Sequence, residues 1–355
     1  MNNLTITKSK FIFFSFSFLG LIAAICSSYV LPKKYFSDAL TIIHNPWNLK
    51  GVVGGFQLSI FFYSITGMRW MPFSLVALIQ YPILIYILTK IGIPSNFDKV
   101  KVNNLLMYAS FFVIGIFISM QTKEFITFIF CAILVKLIKN KNKEYVFRNR
   151  IIICLMILLY SYIFREYYYL VLILSIFISI LSYCNLKLNS FLIIIYGLIM
   201  IILISCGHNM VKHGYLSDKT RTELNERRLD DPKIKEESKS AIIPPLPTNT
   251  WYGDAVSIIY GFMVVNIPIT SIFSASPQVA LFSIWQLTLF FCLSLKFDQI
   301  LKVKKNNNIR WAYYITFSFF IVQGLFEPDL GSSIRHKAGI FPLIYFILFY
   351  DDKEK

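Results

Sequence analysis

The chain has 355 residues, of which 56% are hydrophobic, 17% aromatic and only 15% charged, and its formal net charge is +16. Soluble domains carry about 25% charged residues, and none of this length could bury so many apolar runs, so a soluble globular protein is excluded. The 35 Lys and Arg residues are scattered through short hydrophilic segments rather than gathered on one domain, so the charge is not that of a nucleic-acid binder.

Lys8 and Lys10 precede an apolar run at 11–31, long for a cleaved signal and read as a retained first helix, although the small residues from Ala24 to Ser27 leave cleavage open. A polar segment with Tyr35-Phe36-Ser37-Asp38 and His44 follows. The next run, 52–67, is interrupted by Gly54, Gly55 and Gln57 and reads as a re-entrant or interfacial helix. Crossing the hydrocarbon takes about 20 apolar residues, and shorter runs borrow from their flanks. Spans are therefore expected at 71–91, 105–120, 125–138, 151–164, 170–183 and 190–206. After a hydrophilic stretch at 208–250, the run 255–275 contains Gly261, Asn266 and Pro268 and reads as a second segment that does not cross. The final spans are expected at 278–295, 311–326 and 338–350. The expected fold is an all-α polytopic membrane protein, a single integral membrane domain over 1–355. It has about ten transmembrane helices and a large loop at 207–275 on one side.

Basic residues mark the cytoplasmic side of short loops. With ten spans and both termini inside, 19 Lys and Arg residues lie inside, eight on short outside loops and eight in the long loop. In that arrangement the inside loops hold plain Lys/Arg clusters. The unusual polar residues collect outside: Asp38, Lys123-Glu124, Arg165-Glu166, Arg221 to Arg228, Glu327, Asp329 and Arg335-His336.

Each cluster has a structural and a chemical reading. Lys123-Glu124 and Arg165-Glu166-Tyr167-Tyr168-Tyr169 lie in turns between spans, either as charges beside an aromatic belt or with Arg165 binding phosphate through its two-donor fork. Arg221, Asn225 and Arg228 are spaced to share one helix face, which a solvated helix would also do. Glu327 to Lys337 is either a solvated turn or a set of boundary charges kept for function. The six cysteines lie in or beside apolar runs without CxxC or Cys/His ligand spacing, so no metal site is expected. Walker, HExxH and GxSxG patterns are missing from the sequence, and no cofactor is expected.

Five stretches together resemble the Wzy-type polysaccharide polymerases of bacterial O-antigen and capsule assembly. They are Tyr35-Phe36-Ser37-Asp38, Thr122-Lys123-Glu124, Arg165 with Tyr168, Arg221…Asn225…Arg228, and Glu327-Pro328-Asp329 leading to Arg335-His336. The resemblance implies a glycosyltransferase in the bacterial inner membrane, working on the periplasmic face. Its substrate would be an undecaprenyl-diphosphate-linked glycan, and membrane lipid, a chain-length regulator and a flippase would be its partners. Under it, Arg165, Arg335 and Arg221 are candidates for stabilising the leaving diphosphate. Glu327, Asp329 and His336 are candidates for receiving the acceptor's proton, with Asp38 a further one. Lys123, Glu124, Asn225 and Arg228 join Asp38, Arg165 and Arg221 as substrate-binding candidates, and Arg335, His336, Glu327 and Asp329 form the catalytic group. A flippase or other transporter of lipid-linked oligosaccharide, and an O-antigen ligase-like transferase, share the same anionic substrate. A flippase calls for charges along its spans, and here the spans are nearly charge-free.

The charge split predicts the outcome of thiol labelling in intact cells, in a protein freed of its native cysteines. Single cysteines at Asn142 and Asn307 should be shielded from an impermeant reagent and one at Ser240 labelled; labelling at Asn142 would overturn the ten-span arrangement.

Overall fold

A computed structural model of the protein describes residues 2–140, 145–184, 188–225, 240–274, 276–302 and 307–350. In chain order the α-helices of eight or more described residues are α1 (Asn2–Val30), α2 (Ser37–His44), α3 (Gly55–Ile65), α4 (Phe73–Ile91), α5 (Val102–Ile118), α6 (Lys123–Ile138) and α7 (Val146–Ile163). Then come α8 (Tyr168–Tyr183), α9 (Ser190–Lys212), α10 (Trp251–Asn266), α11 (Pro277–Lys302), α12 (Asn307–Phe326), α13 (Leu330–Gly339) and α14 (Phe341–Leu348). Among the described residues, α1, α4, α7, α9 and α11 are long and apolar enough to cross a membrane. This is a helical membrane protein.

Three segments have lengths that bear on the span count. Helix α3 has 11 residues, about 16 Å at 1.5 Å per residue, against a hydrocarbon core of about 30 Å. The run at 255–275 is mostly taken up by α10, whose 16 residues equal those of α8. The run at 338–350 contains a break at Ile340, where α14 starts with Pro342 in its first turn, and α14 has only eight residues. Proline is tolerated there because a first-turn N–H has no intrahelical partner to lose.

The chain forms two compact units, one of Met1–Glu166 with Arg335–Lys355 and one of Tyr167–Ile334. In the first, α1 packs on α4 and α5. Helix α4 follows Pro72 and ends at Gly92, whose φ of +126° is open to glycine and closed to most other residues. Helix α14 is apolar on every side, and such a helix must be enclosed. All eight of its residues are buried, and it packs on α6 and α4. The Tyr345 hydroxyl donates to the Gly92 carbonyl at 2.7 Å. This return of the chain brings Arg335 and His336, on the second half of α13, into the first unit.

In the second unit α12 is the enclosed helix. Residues 311–325 are buried without interruption, and α8, α9, α10 and α11 all pack on it. Tyr167 stacks on Phe326 at 4.2 Å between ring centroids, and the buried Tyr168 lies beside Phe319. Helices α10 and α12 approach closely at Gly261 and Gly324, where a side chain would hold the backbones apart. A Cβ at Gly324 would lie 2.7 Å from the Phe262 Cβ.

Gly324→Val should therefore destabilise the protein by about 1–3 kcal/mol through overpacking. Thermal unfolding in detergent checks this, and an unchanged transition temperature would contradict the close crossing.

Candidate functional site

The first unit gathers charged residues from four parts of the chain. Asp38 stands in the first turn of α2. The segment before it is anchored by Phe36, which is buried with Ala39 and Met120 and lies against Phe73. Lys123 and Glu124 are the first two residues of α6, Arg165 follows the C-cap of α7, and Arg335 and His336 belong to α13. The carboxylates thus stand at helix N-termini and Arg165 at a helix C-terminus, each placed favourably for the helix dipole.

The cluster has two layers. In the deep layer Arg165 Nη2 donates to Glu124 Oε1 at 2.6 Å, with side-chain exposures of 5% and 0%. In the layer above, Asp38 lies 3.3 Å from Lys123 Nζ through Oδ2 and 3.6 Å from Arg335 Nη1 through Oδ1. His336 Nε2 joins the layers, 3.4 Å from Glu124 Oε1. The side chains of Lys123, Arg335, Asp38 and His336 keep 13–17% of their surface exposed. Lys123 Nζ also lies 3.7 Å from the centre of the Phe56 ring, a favourable cation–π placement. Among the described residues, three fixed cations and a histidine meet two carboxylates in these contacts, so cations outnumber carboxylates there. Glu124 Oε2 is buried and accepts no hydrogen bond from the described residues.

Burial alone would raise the Asp38 carboxyl. Arg335 and Lys123, joined by His336 and Arg165, more than offset it and hold the group well below the usual carboxylate range. Arg165, expected to grip a phosphate, is turned towards Glu124 inside the protein. Lys337 is also buried, at 1% exposure.

The remaining candidates lie in the second unit, in structural settings. Arg221 is fully buried: Nε donates to the Glu327 carbonyl at 3.0 Å, Nη1 to the Ser257 carbonyl and hydroxyl at 2.8 and 3.1 Å, and Nη2 to the Gly324 carbonyl. Two of these carbonyls belong to the end of α12, where helix carbonyls lack intrahelical partners. Burial pushes Arg221 down to about 10, with Glu327 and Asp254 opposing, so it remains a cation at neutral pH. The solvated-helix reading of this segment is thereby corrected, because the face carrying Arg221 and Asn225 points into protein. The segment Asp218–Thr222 is also a π-helical turn, which alters the expected spacing. Asn225 donates to the Ile242 carbonyl at 2.9 Å; Arg228 lies outside the described residues.

Glu327 is fully buried and its Oε1 accepts from Gln323 Nε2 at 2.9 Å. Asp329 caps α13, its Oδ1 accepting from the Ser332 N–H at 2.7 Å. Its backbone pairs with Ala241, and the Ile242 N–H donates to the Pro328 carbonyl at 2.8 Å. With Glu327 and Lys337 enclosed, 327–337 is not a solvated turn.

Sequence reasoning missed several polar residues. Asp254, fully buried, accepts from the Ser217 N–H and hydroxyl. Gln80 and Gln121 are fully buried in the first unit, and a lone amide inside or beside an apolar run is a readable signal of a buried polar contact. Tyr63, in an aromatic-rich run, carries no such signal. Among the described residues no group of three or more His, Cys, Asp or Glu is placed to hold a metal. No protein-family model, curated protein or solved structure matches the chain.

A depressed folded value gives Asp38 a stabilising contribution that is complete above the ordinary aspartate value of about 3.9 and disappears as pH falls through the folded value. Asp38→Asn should lower the unfolding temperature at pH 7 and flatten the acid limb below about pH 4. Parallel acid limbs in wild type and variant would show that Asp38 is unpaired.

Proposed function

We propose that this protein is a polysaccharide polymerase, a membrane glycosyltransferase that joins undecaprenyl-diphosphate-linked oligosaccharide repeat units in O-antigen or capsule biosynthesis. The observation that carries this reading is the two-layered cluster, in which accessible Arg335, Lys123 and His336 overlie the buried Glu124–Arg165 pair. Ionisable groups are expensive in a membrane protein and are kept for function. Surplus cationic charge beside a proton acceptor is what transfer from a lipid diphosphate requires. In this reading the chain has ten spans and both termini in the cytoplasm of a bacterial inner membrane. The cluster and the 207–275 loop face the periplasm, and a chain-length regulator and a flippase work alongside.

The bond between the donor's anomeric carbon and the diphosphate oxygen breaks, and that carbon bonds to a hydroxyl oxygen of the next repeat unit. Arg335 and Lys123 stabilise the negative charge that develops on the departing lipid diphosphate. His336 receives the hydroxyl proton, and Glu124 supports the imidazolium that results. Arg165 holds Glu124 in place, and Asp38 orients Lys123 and Arg335. The catalytic group is thus narrowed to Arg335 and His336, while Glu327, Asp329, Arg221 and Asn225 hold the second unit together.

The test is polymer formed in vitro from purified lipid-linked repeat units, with protein stability measured on the same preparations. Arg335→Ala should lose about 10²-fold or more and His336→Ala roughly 10²–10⁴-fold, both remaining folded. Asp329→Asn, which keeps a side-chain oxygen for the Ser332 N–H at the helix cap, should polymerise at near the wild-type rate. Near-normal polymer from stable Arg335→Ala and His336→Ala proteins would sink the assignment. Transfer by wild type only to an acceptor other than a second repeat unit would make the protein a ligase.

A further inference from the structure

Helix α3 has only 11 residues, yet it touches both sides of the deep ion pair's support. At its N-terminal end the Gly54 N–H donates to the Ile163 carbonyl at 2.7 Å. There Gly55 lies so close to Phe164 that a Cβ would stand 3.2 Å from the Phe164 carbonyl. Phe164 immediately precedes Arg165. At the other end Tyr63, fully buried among Ile42, Ile60, Met68 and Val76, turns its hydroxyl to the α5–α6 connection. That hydroxyl accepts from the Thr122 N–H at 3.0 Å. The Gln80 amide completes the chain when its nitrogen faces the Ile118 and Met120 carbonyls, at 3.2 and 2.6 Å, and its oxygen accepts from Tyr63 at 2.9 Å. Gln121 ties the same connection down by donating to the Met68 and Met71 carbonyls at 2.9 and 3.1 Å. Thr122 leads directly into Lys123 and Glu124.

We infer that α3 is a positioning element that sets the geometry of the Glu124–Arg165 pair, with Tyr63 and Gly55 as its two working contacts. The inference rests on reading the cluster as the functional site, because only there does the exact geometry of the pair matter. A helix has a fixed rise per residue, so the nine residues from Gly55 to Tyr63, eight rises apart, form a rigid spacer of about 12 Å between the two backbones that carry the pair. The Tyr63 hydroxyl and the Gln80 amide, linked to each other and to the backbone from Ile118 to Thr122, favour one geometry where apolar packing alone would tolerate several. The Phe56 ring under Lys123 Nζ adds a third contact from the same helix. Tyr63 touches none of the charged side chains in these contacts, so its role is positioning and not catalysis.

The experiment is a double-mutant cycle on the pair, using Glu124→Gln, Arg165→Gln and both together. It is measured by unfolding of the full chain in detergent and repeated in a Tyr63→Phe background. Contacting buried residues couple measurably in such cycles, and a coupling of about tenfold in the unfolding equilibrium constant is expected here. In Tyr63→Phe it should fall below about threefold, and Gly55→Ala, which pushes on Phe164 from the other end, should act in the same direction. A merely structural tyrosine would lower overall stability and leave the coupling unchanged, and that result in both backgrounds overturns the inference. Polymerisation is assayed on the same proteins, where Tyr63→Phe should lower kcat at least tenfold with little change in KM. If wild type makes no polymer while the coupling still collapses in both backgrounds, α3 positions the pair and the polymerase reading alone fails.

Discussion

The contact on which the first unit depends is the 2.6 Å pair between Glu124 and Arg165. Taking a carboxylate and a guanidinium out of water costs several kcal/mol for each ion, and close, well-directed contact recovers this only in part. A pair with so narrow a margin tolerates little error in placement. This accounts for the polar scaffolding beneath it, which has no counterpart in ordinary apolar packing. Gln80, Gln121 and Tyr63 fix the backbone before Glu124, and the Gly54–Ile163 hydrogen bond fixes the backbone before Arg165. Asp38, Lys123, Arg335 and His336 then sit on a foundation that is already determined.

A second buried cation organises the other unit by different means. Arg221 has no carboxylate within ion-pair distance among the described residues and relies on carbonyls at the end of α12 and in α10. Its breadth is accommodated because Gly261 and Gly324 leave room where those helices cross. Around it, Asp254 holds Ser217, Asn225 holds Ile242, and Asp329 both caps α13 and pairs with Ala241. The described parts of the long hydrophilic stretch are therefore fastened to the helices.

Much of this was legible in residue order. Apolar runs marked the helices because length and hydropathy are local properties. The resemblance motifs pointed to Asp38, Lys123-Glu124, Arg165 and Arg335-His336, which do meet. The pairings were not legible. Nothing in the sequence says that Arg165 turns to Glu124, because that contact is fixed by α3, whose part depends on two glycines and a tyrosine in a run that reads only as a re-entrant or interfacial helix. Asp329 and Glu327 read as carboxylates at the end of an apolar run, but their roles as a helix cap and a buried hydrogen-bond acceptor are set by backbone that a linear reading cannot place. The burial of Arg221 is not legible because helical spacing is the same whether a face meets water or protein.

The order in which the ribosome delivers these parts has a consequence of its own. Glu124 and Arg165 both lie within the first 166 residues, so their pair can close while the nascent chain is still short. Arg335, His336 and α14 emerge only after residues 167–334, a delay of roughly 10–30 s at about 5–20 residues per second. Throughout that interval the first unit has its foundation and Lys123 without the guanidinium of Arg335 and the imidazole of His336. The cluster is completed by late-synthesised residues threading back into an early-synthesised body, so a stalled or prematurely released chain is born without it.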